Sequence, residues 1–299
     1  MIPSRTDMSQ KNTSNVIREN MTLLCQRRDI CDEQRRLTLE QFAELLQKQL
    51  SEMNISDVNR IYEAANALDG KLSCEEKTFV CKLLSEDSDF AYTLSKKLID
   101  ASDDVPEDVR GRIAYVKTEQ NDGAFTEFSQ HLKDARAFYA PTFSDCCEAV
   151  TDNKCEYCIL PIENAEGGKL YSFYSLIDKY ELRICITQRC TTDDDRDVLY
   201  ALVAKNISAD VLSAPQLRFE FTTVGERGEY IGDVIEALRH LSCDIYSLST
   251  TPVEYDYQKQ KCIFSVDVPN DSLAPLLIYL ENEYPRYTPI GLYKIDKEN

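Results

Sequence analysis

The chain is poor in cations and has no long apolar stretch, and each shortage excludes a class of protein. Lysine and arginine number 34 against 52 aspartates and glutamates, which gives a formal net charge of −18. No Lys/Arg-rich tract offsets this charge, so binding to nucleic acid or to an anionic membrane is disfavoured. No apolar run approaches the roughly 18 residues of a membrane span. The polar N-terminal segment lacks a signal core. We therefore expect a cytoplasmic protein that binds neither nucleic acid nor membrane.

Histidine is also scarce, which bears on the cysteines. The sequence has two histidines and 12 cysteines. Cys155-x-x-Cys158, with Cys146-Cys147 nearby, suggests a zinc site, but a structural site commonly needs two spaced pairs or added histidines. The second pair is adjacent and both histidines lie elsewhere. We therefore predict buried, inert thiols, with no metal and no cofactor.

The pattern of residues divides the chain into three regions. Residues 1–105 have almost no glycine and proline only at Pro3, and their apolar residues recur at helical spacing. Residues 110–212 alternate strand and helix patterns, which predicts one parallel α/β lobe. Residues 215–297 follow the order strand, helix, strand, strand, helix, strand, which is the ferredoxin-like order. The predicted fold class is thus multidomain α+β: a helical domain, an α/β lobe and a βαββαβ domain.

One segment of the middle lobe carries the strongest functional signal. An apolar run ends in Pro161-Ile-Glu-Asn164, and a small turn containing Gly168 leads to a predicted helix. Open α/β sheets bind ligands at the carboxyl ends of their strands. Glu163 and Asn164 are therefore the candidate acid and the candidate substrate-orienting group.

This segment resembles the central motif of prephenate dehydratases. Ile113-Ala-Tyr-Val116, with Gly123 just beyond, resembles the family's first strand and glycine loop. Residues 243–252 lie where the family's ACT regulatory domain has its effector-binding segment. The resemblance implies phenylalanine biosynthesis, a substrate or ligand site at Gly123, Asn164 and Gly168, and a C-terminal ACT-like domain.

The same comparison shows what is missing. The family's catalytic Thr-Arg-Phe corresponds here to Val198-Leu199-Tyr200, which can neither donate a proton nor bind a carboxylate. The first loop, Lys117–Gly123, has gained acids, which are unfavourable beside a dianion. The family's second lobe is replaced by the short segment Thr191–Asp197. We therefore predict a catalytically degenerate relative that acts in regulation, ligand sensing or scaffolding.

The C-terminal segment keeps some ligand-binding features. Gly228 would let a ligand approach the backbone, Asp244 could meet an amine, and Ser249 and Thr250 replace part of the family's effector motif. We expect phenylalanine or tyrosine as effector and a homodimer formed through this domain. Pairing without any ligand is the alternative.

Two further alternatives stay open. Leu23-Leu-Cys-Gln-Arg27-Arg28 resembles a segment of helical chorismate mutases, although the expected lysine is absent. Arg18, Arg27 and Arg28 are the available cations for such a site. The chain could thus be an active dehydratase, or a bifunctional mutase and dehydratase, with a rebuilt site. It could also be a purely structural interaction module.

Overall fold

The chain forms two compact units in a computed structural model, Met1–Leu72 and Ser73–Asn299. Within the first unit, residues 21–38 are helical and exposed. No helix in the described part of the chain is long and apolar enough to cross a bilayer. The structure describes residues 21–38, 40–41, 59, 62, 72–102, 105–164, 168–191, 197–226, 231–253 and 256–295.

The second unit contains the elements that position the candidate site. Its α-helices are α1 (Cys74–Leu84), α2 (Ser88–Leu98), α3 (Glu119–Ser129), α4 (Phe143–Thr151), α5 (Tyr171–Lys179), α6 (Ile231–His240) and α7 (Asn270–Glu283). Its strands are β1 (Arg112–Val116), β2 (Arg136–Ala140), β3 (Tyr157–Asn164), β4 (Gly168–Lys169), β5 (Arg183–Thr191), β6 (Asp197–Ala204), β7 (Gln216–Glu226), β8 (Asp244–Val253), β9 (Asp256–Pro269) and β10 (Thr288–Lys294).

Side-chain caps fix where several helices begin. Ser73 and Glu76 form a capping box at the start of α1, where the sequence places Ser73 just before Cys74-Glu-Glu. The Thr118 hydroxyl accepts a hydrogen bond from the backbone N–H of Asn121, so α3 begins at Glu119. This helix occupies residues that the family resemblance assigned to a glycine loop. The loop expectation for Lys117–Gly123 was therefore wrong.

All the strands belong to one mixed α/β sheet, in the order β2-β1-β3-β6-β5-β10-β7-β9-β8, with β4 paired to β3. Strands β2, β1 and β3 are parallel, whereas β6 runs antiparallel to both β3 and β5. The expectation of a parallel lobe is corrected here. Only a short segment joins β5 to β6, and parallel strands need a crossover of about a dozen residues, so β5 and β6 can form only a hairpin.

The C-terminal strands lie in the order β10-β7-β9-β8, all antiparallel, with α6 and α7 in the connections. Their apolar face forms a core with α6 and α7. Helix α1 packs on α6 and α7, and α2 packs on α7. Two helices within the predicted 1–105 domain therefore pack against the C-terminal helices. The division into three domains stays a prediction.

The two halves of the sheet meet at one residue pair. Gly291 of β10 is paired with Ile184 of β5. One buried core contains Leu160 and Ala201 from the first half together with Ile263 and Tyr293 from the second. Helix α5 contributes Tyr174 and Ile177 to this core, so it lies against residues from both halves.

Candidate functional site

The candidate site lies where β3 ends, beside the end of β1. After β1 the chain enters α3, which packs on one face of the sheet through Ala124 and Phe128. After β3 and β4 it enters α5, which packs on the opposite face through Tyr174 and Ile177. A change of face between neighbouring parallel strands opens a crevice at their carboxyl ends. Glu163 and Asn164 end β3 at this position.

A buried ion pair lies beside the end of β3. The Lys169 ammonium of β4 donates to the Glu220 carboxylate of β7 at 3.0 Å, and the two side chains are only 5% and 3% exposed. Lys169 also donates to the hydroxyl oxygens of Ser265 at 2.8 Å and Tyr174 at 2.9 Å. Tyr293 donates to the other Glu220 oxygen at 2.6 Å. Burying two charges is tolerated because every partner is present.

The network sets the protonation states of Glu220, Tyr174 and Tyr293. Burial opposes the charge on Glu220, but the Lys169 ammonium and hydrogen bonds from Tyr293, Lys169 and Ser265 hold the pKa of this carboxyl below its ordinary value. Burial, together with the nearby Glu220 charge, raises the pKa of the Tyr174 and Tyr293 phenols. The phenols therefore stay protonated and donate, while Glu220 stays ionised and accepts.

Glu163 borders this network near the carboxyl end of β3. Its carboxylate lies 3.9 Å from Lys169 Nζ, and its side chain is 15% exposed. Burial is the main cause that raises the pKa of Glu163, and Glu220 adds to it, while Lys169, Arg189 and Arg218 oppose it. A carboxyl that holds its proton more readily can act as a proton donor. Glu163 therefore keeps one of the properties that acid catalysis needs.

The three cations near Glu163 differ in whether they are paired with another acid. Arg218 binds Asp267 through two N–H groups, one of them at 3.2 Å, and its guanidinium lies 3.5 Å from the centre of the Tyr246 ring. Lys169 is held by Glu220. Arg189 is exposed on β5 and makes no ion pair within the described residues. Two of the three cations are thus neutralised inside the fold.

The strand register gives the neighbours of Leu199, the middle residue of the Val198-Leu199-Tyr200 triplet. Leu199 of β6 lies opposite Glu163 of β3 on one side and Arg189 of β5 on the other. The three residues therefore form one cross-strand row on one face of the sheet. Its central position, Leu199, packs in the apolar core. The position supplies neither a cation nor a proton.

Of the predicted ligand residues Gly123, Asn164 and Gly168, the last two lie together and Gly123 does not. Gly168 pairs with Asn164 across the β3–β4 hairpin and has φ +67°, a conformation that favours glycine. Gly123 lies apart, in the second turn of α3, and a side chain there would meet no neighbouring atom within 4 Å. Its backbone amide is available to the helix rather than to a ligand.

The second group lies on β8, at the far edge of the sheet. Asp244 is exposed opposite Asp267, and Thr250 is exposed opposite Cys262. Ser249 lies opposite Ile263, and its buried hydroxyl makes no hydrogen bond within the described part of the chain. Gly228 and Arg18 lie outside the described residues, whereas Arg27 and Arg28 are exposed on the helix of residues 21–38.

The cysteines near β3 are buried thiols. Cys146, Cys147, Cys155 and Cys158 are all at most 2% exposed. Burial raises the pKa of Cys146 to about 12 and that of Cys155 to about 11, which keeps both thiols protonated. Among the described residues, no three potential metal ligands lie together.

Sequence reasoning missed Lys169, Tyr174, Glu220 and Ser265. In β7, Glu220 stands between Phe219 and Phe221, so the alternation predicts an outward, solvated carboxylate. In the fold, β4 and α5 cover that face. The residues next to Glu220 in the sequence do not indicate that β4 and α5 will bury its side chain. Only the tertiary arrangement reveals this network.

Together these features define a mixed α/β protein with a cluster of charged and polar side chains at the end of β3. Residues 121–192, about a quarter of the chain, match the family model described as prephenate dehydratase. The family resemblance predicted from the sequence is therefore confirmed in this segment, which contains Glu163 and Asn164. No curated protein matches the chain.

Solved structures share the fold. A prephenate dehydratase from Streptococcus mutans is 12% identical with a TM-score of 0.51, over 61% of this chain and 97% of that one. GqqA, described as a novel type of quorum quenching acylases, is 14% identical with the same TM-score, over 62% and 95%. At these identities the likeness shows the fold alone. Proteins described by different activities share it, so function must be argued from the site.

Proposed function

We propose that this chain is a non-catalytic, ligand-sensing relative of prephenate dehydratases in aromatic amino-acid biosynthesis. The family resemblance supports the relation to that biosynthesis. The observation that carries the non-catalytic role is the engagement of Lys169. This buried cation next to Glu163 is held by Glu220, Tyr174 and Ser265.

Dehydration of prephenate needs a proton donor for the departing hydroxyl and a cation for a carboxylate. Glu163 is a candidate for the first task. For the second, Lys169 would have to leave Glu220, and breaking a buried pair costs about 3–5 kcal/mol. Leu199 provides no substitute, and Arg189, unpaired among the described residues, lies beyond Leu199, two strands or about 10 Å from Glu163. The groups at the strand end therefore join β4 to the C-terminal strands instead of receiving a substrate.

The C-terminal βαββαβ section is proposed to be an ACT-like regulatory domain. Its strand order β10-β7-β9-β8 is that of a ferredoxin-like sheet. Ser249 adds an unpaired hydroxyl on β8. We propose phenylalanine or tyrosine as the effector, and a homodimer formed through this domain, with the domain limits 1–105, 110–212 and 215–297.

The first experiment measures phenylpyruvate formation from prephenate, and prephenate formation from chorismate, with the full chain. We expect no turnover above the uncatalysed rate. Turnover at an ordinary enzymatic rate of about 1 per second or more would overturn the non-catalytic role in favour of a rebuilt active site.

The second experiment is a thermal-shift screen over the amino acids. A ligand that binds only the native state raises the melting temperature, and we expect this for phenylalanine or tyrosine. If no amino acid shifts the melting temperature, the sensing role is lost and a purely structural module is the better account. Light scattering of the same sample tests the homodimer.

A further inference from the structure

A cleft between α5 and the C-terminal strands carries more positive than negative charge. Its volume is about 480 Å³, within the range of about 300–1,000 Å³ that is usual for small-molecule sites. Lys179, Arg183 and Lys261 line it, and Asp178 is the one acid among the described residues that do so. Three cations against one acid leave a net charge of +2. The whole chain carries −18, so this excess of positive charge is local.

One of the three cations, Lys179, has an ordinary structural explanation. It lies in the last turn of α5, where a cation stabilises the helix dipole. Its ammonium also lies 4.7 Å from the centre of the Tyr180 ring. Lys179 alone therefore indicates no ligand, although it adds positive charge to the cleft.

Arg183, at the start of β5, is a partly buried cation without an ion pair in the described part of the chain. Its guanidinium donates one hydrogen bond, to the backbone carbonyl of the adjacent Leu182 at 3.0 Å. Burial is the main cause that lowers its pKa, and the charges of Glu181, Asp100 and Asp178 oppose this from a distance. A guanidinium has several N–H donors, and burying them without acceptors costs free energy. An anion in the cleft would supply such acceptors.

Lys261 of β9 is the third cation, and its present partner holds it weakly. Its ammonium lies 2.9 Å from the Asp178 carboxylate, and the two side chains are 26% and 54% exposed. Ion pairs this exposed contribute little to stability. Lys261 can therefore turn from Asp178 to a ligand anion at small cost.

Hydroxyls and apolar side chains complete the lining of the cleft. Thr222 of β7, Thr251 of β8 and Thr288 of β10 line it, and each hydroxyl can donate a hydrogen bond to an anion. Ile177 of α5 and Ile263 of β9 line it as well and are buried. The cleft thus combines donors for an anion with an apolar surface for an organic group.

We infer that this cleft binds a small phosphate monoester, with its phosphate on Arg183 and Lys261 and its organic group against Ile177 and Ile263. Such a phosphate carries a charge of about −1.5 to −2 near pH 7 and has three acceptor oxygens. It therefore matches the net charge of +2 in the cleft, whereas a single carboxylate would neutralise half of it. This site goes beyond the amino-acid sensing proposed above, because a free amino acid has no net charge.

Ligand analogues test the need for a phosphate group on the full chain. Calorimetric titration with phenyl phosphate, the probe, should show binding that weakens as sodium chloride is added. Benzoate, which has the ring and a single charge, and phenol, which has the ring alone, should each bind at least about tenfold more weakly. Absence of phenyl phosphate binding, or equal binding of benzoate, would overturn the assignment.

Variants test the location of the site. Arg183→Gln and Lys261→Gln should each weaken phenyl phosphate binding by at least about tenfold. Asp178→Asn should instead strengthen it by about threefold, because it removes the one like charge from the lining. Lys154→Gln is the matched control, since it changes the net charge by the same amount and Lys154 pairs with Asp152 at the same 2.9 Å outside the cleft. This control should bind like the wild type.

The opposite signs expected for the cleft variants decide the outcome. If all of them bind phenyl phosphate like the wild type, or if Asp178→Asn binds it more weakly, the cleft assignment is wrong. Melting temperatures without ligand show whether each variant is folded. If Arg183→Gln does not fold, Lys261→Gln and Asp178→Asn still decide, because both replace partly exposed side chains. The amino-acid screen on the wild type is a separate measurement, so the sensing function can fail or stand independently of this site.

Discussion

A Cβ atom placed on Gly291 would lie 2.6 Å from Cβ of Ile184 and 2.8 Å from its carbonyl oxygen. No real side chain tolerates such a contact, so glycine is required where β10 meets β5. Within the described residues, this pair sets the register between the two halves of the sheet. Its close approach lets the C-terminal strands continue the α/β sheet.

Replacing Gly291 with alanine should therefore destabilise the protein. Overpacking of a tight contact costs about 1–3 kcal/mol, and the loss should appear as a lower midpoint in urea unfolding. Gly123→Ala is the control, because its added methyl group meets no atom within 4 Å and lies within a helix. It should gain about 0.5–1 kcal/mol. An unchanged midpoint for Gly291→Ala would mean that β5 and β10 are not in contact.

The second prediction concerns how much the buried pair of Lys169 and Glu220 contributes to stability. Lys169→Met leaves Glu220 charged and buried without its cation, which should cost about 3–5 kcal/mol. Adding Glu220→Leu removes the stranded charge, so the double variant should be more stable than Lys169→Met alone. Chemical denaturation of four proteins, the wild type, Lys169→Met, Glu220→Leu and the double variant, measures the difference. If the two single losses simply add in the double variant, the two residues do not interact.

The third prediction concerns the pH dependence from Glu163. Burial raises its pKa in the folded state above the ordinary value of 4.5. The folded protein therefore holds this proton more tightly than the unfolded chain, and the stability from it is lost as pH rises through the folded-state pKa. Glu163→Gln has no such proton.

The stability of Glu163→Gln relative to wild type should thus increase between pH 4 and pH 7. Urea unfolding at several pH values measures this difference. The pKa of Glu220 is lowered, so the pH dependence of its contribution to the free energy of unfolding has the opposite sign. That contribution is lost only as the pH falls below about 4.5. A constant difference across the range would contradict the shifted pKa of Glu163.

Local patterns predicted much of this fold. The order strand, helix, strand, strand, helix, strand predicted for residues 215–297 is the order of β7, α6, β8, β9, α7 and β10. The short link between β5 and β6 also required a hairpin, although the lobe was expected to be parallel. These features depend on neighbouring residues, which a sequence displays directly.

The site was harder to predict. Glu163 follows from its place at the end of a strand, but Lys169 and Glu220 are 51 residues apart in the chain and only 3.0 Å apart in space. Gly123 was assigned by resemblance to a loop, whereas the cap at Thr118 starts a helix there. Local capping chemistry was the better guide at that position, because the helix depends on Thr118 itself.

The position of β10 has a consequence for synthesis of the protein. This strand is the last described one in the chain, yet it lies between β5 and β7 in the sheet. Until the ribosome has released residues 288–294, β5 and β7 each expose an unpaired edge. A nascent chain, or one truncated before Thr288, would therefore expose two strand edges whose backbone groups can pair with other chains. Such a chain should aggregate more readily and need chaperones that cover exposed strands.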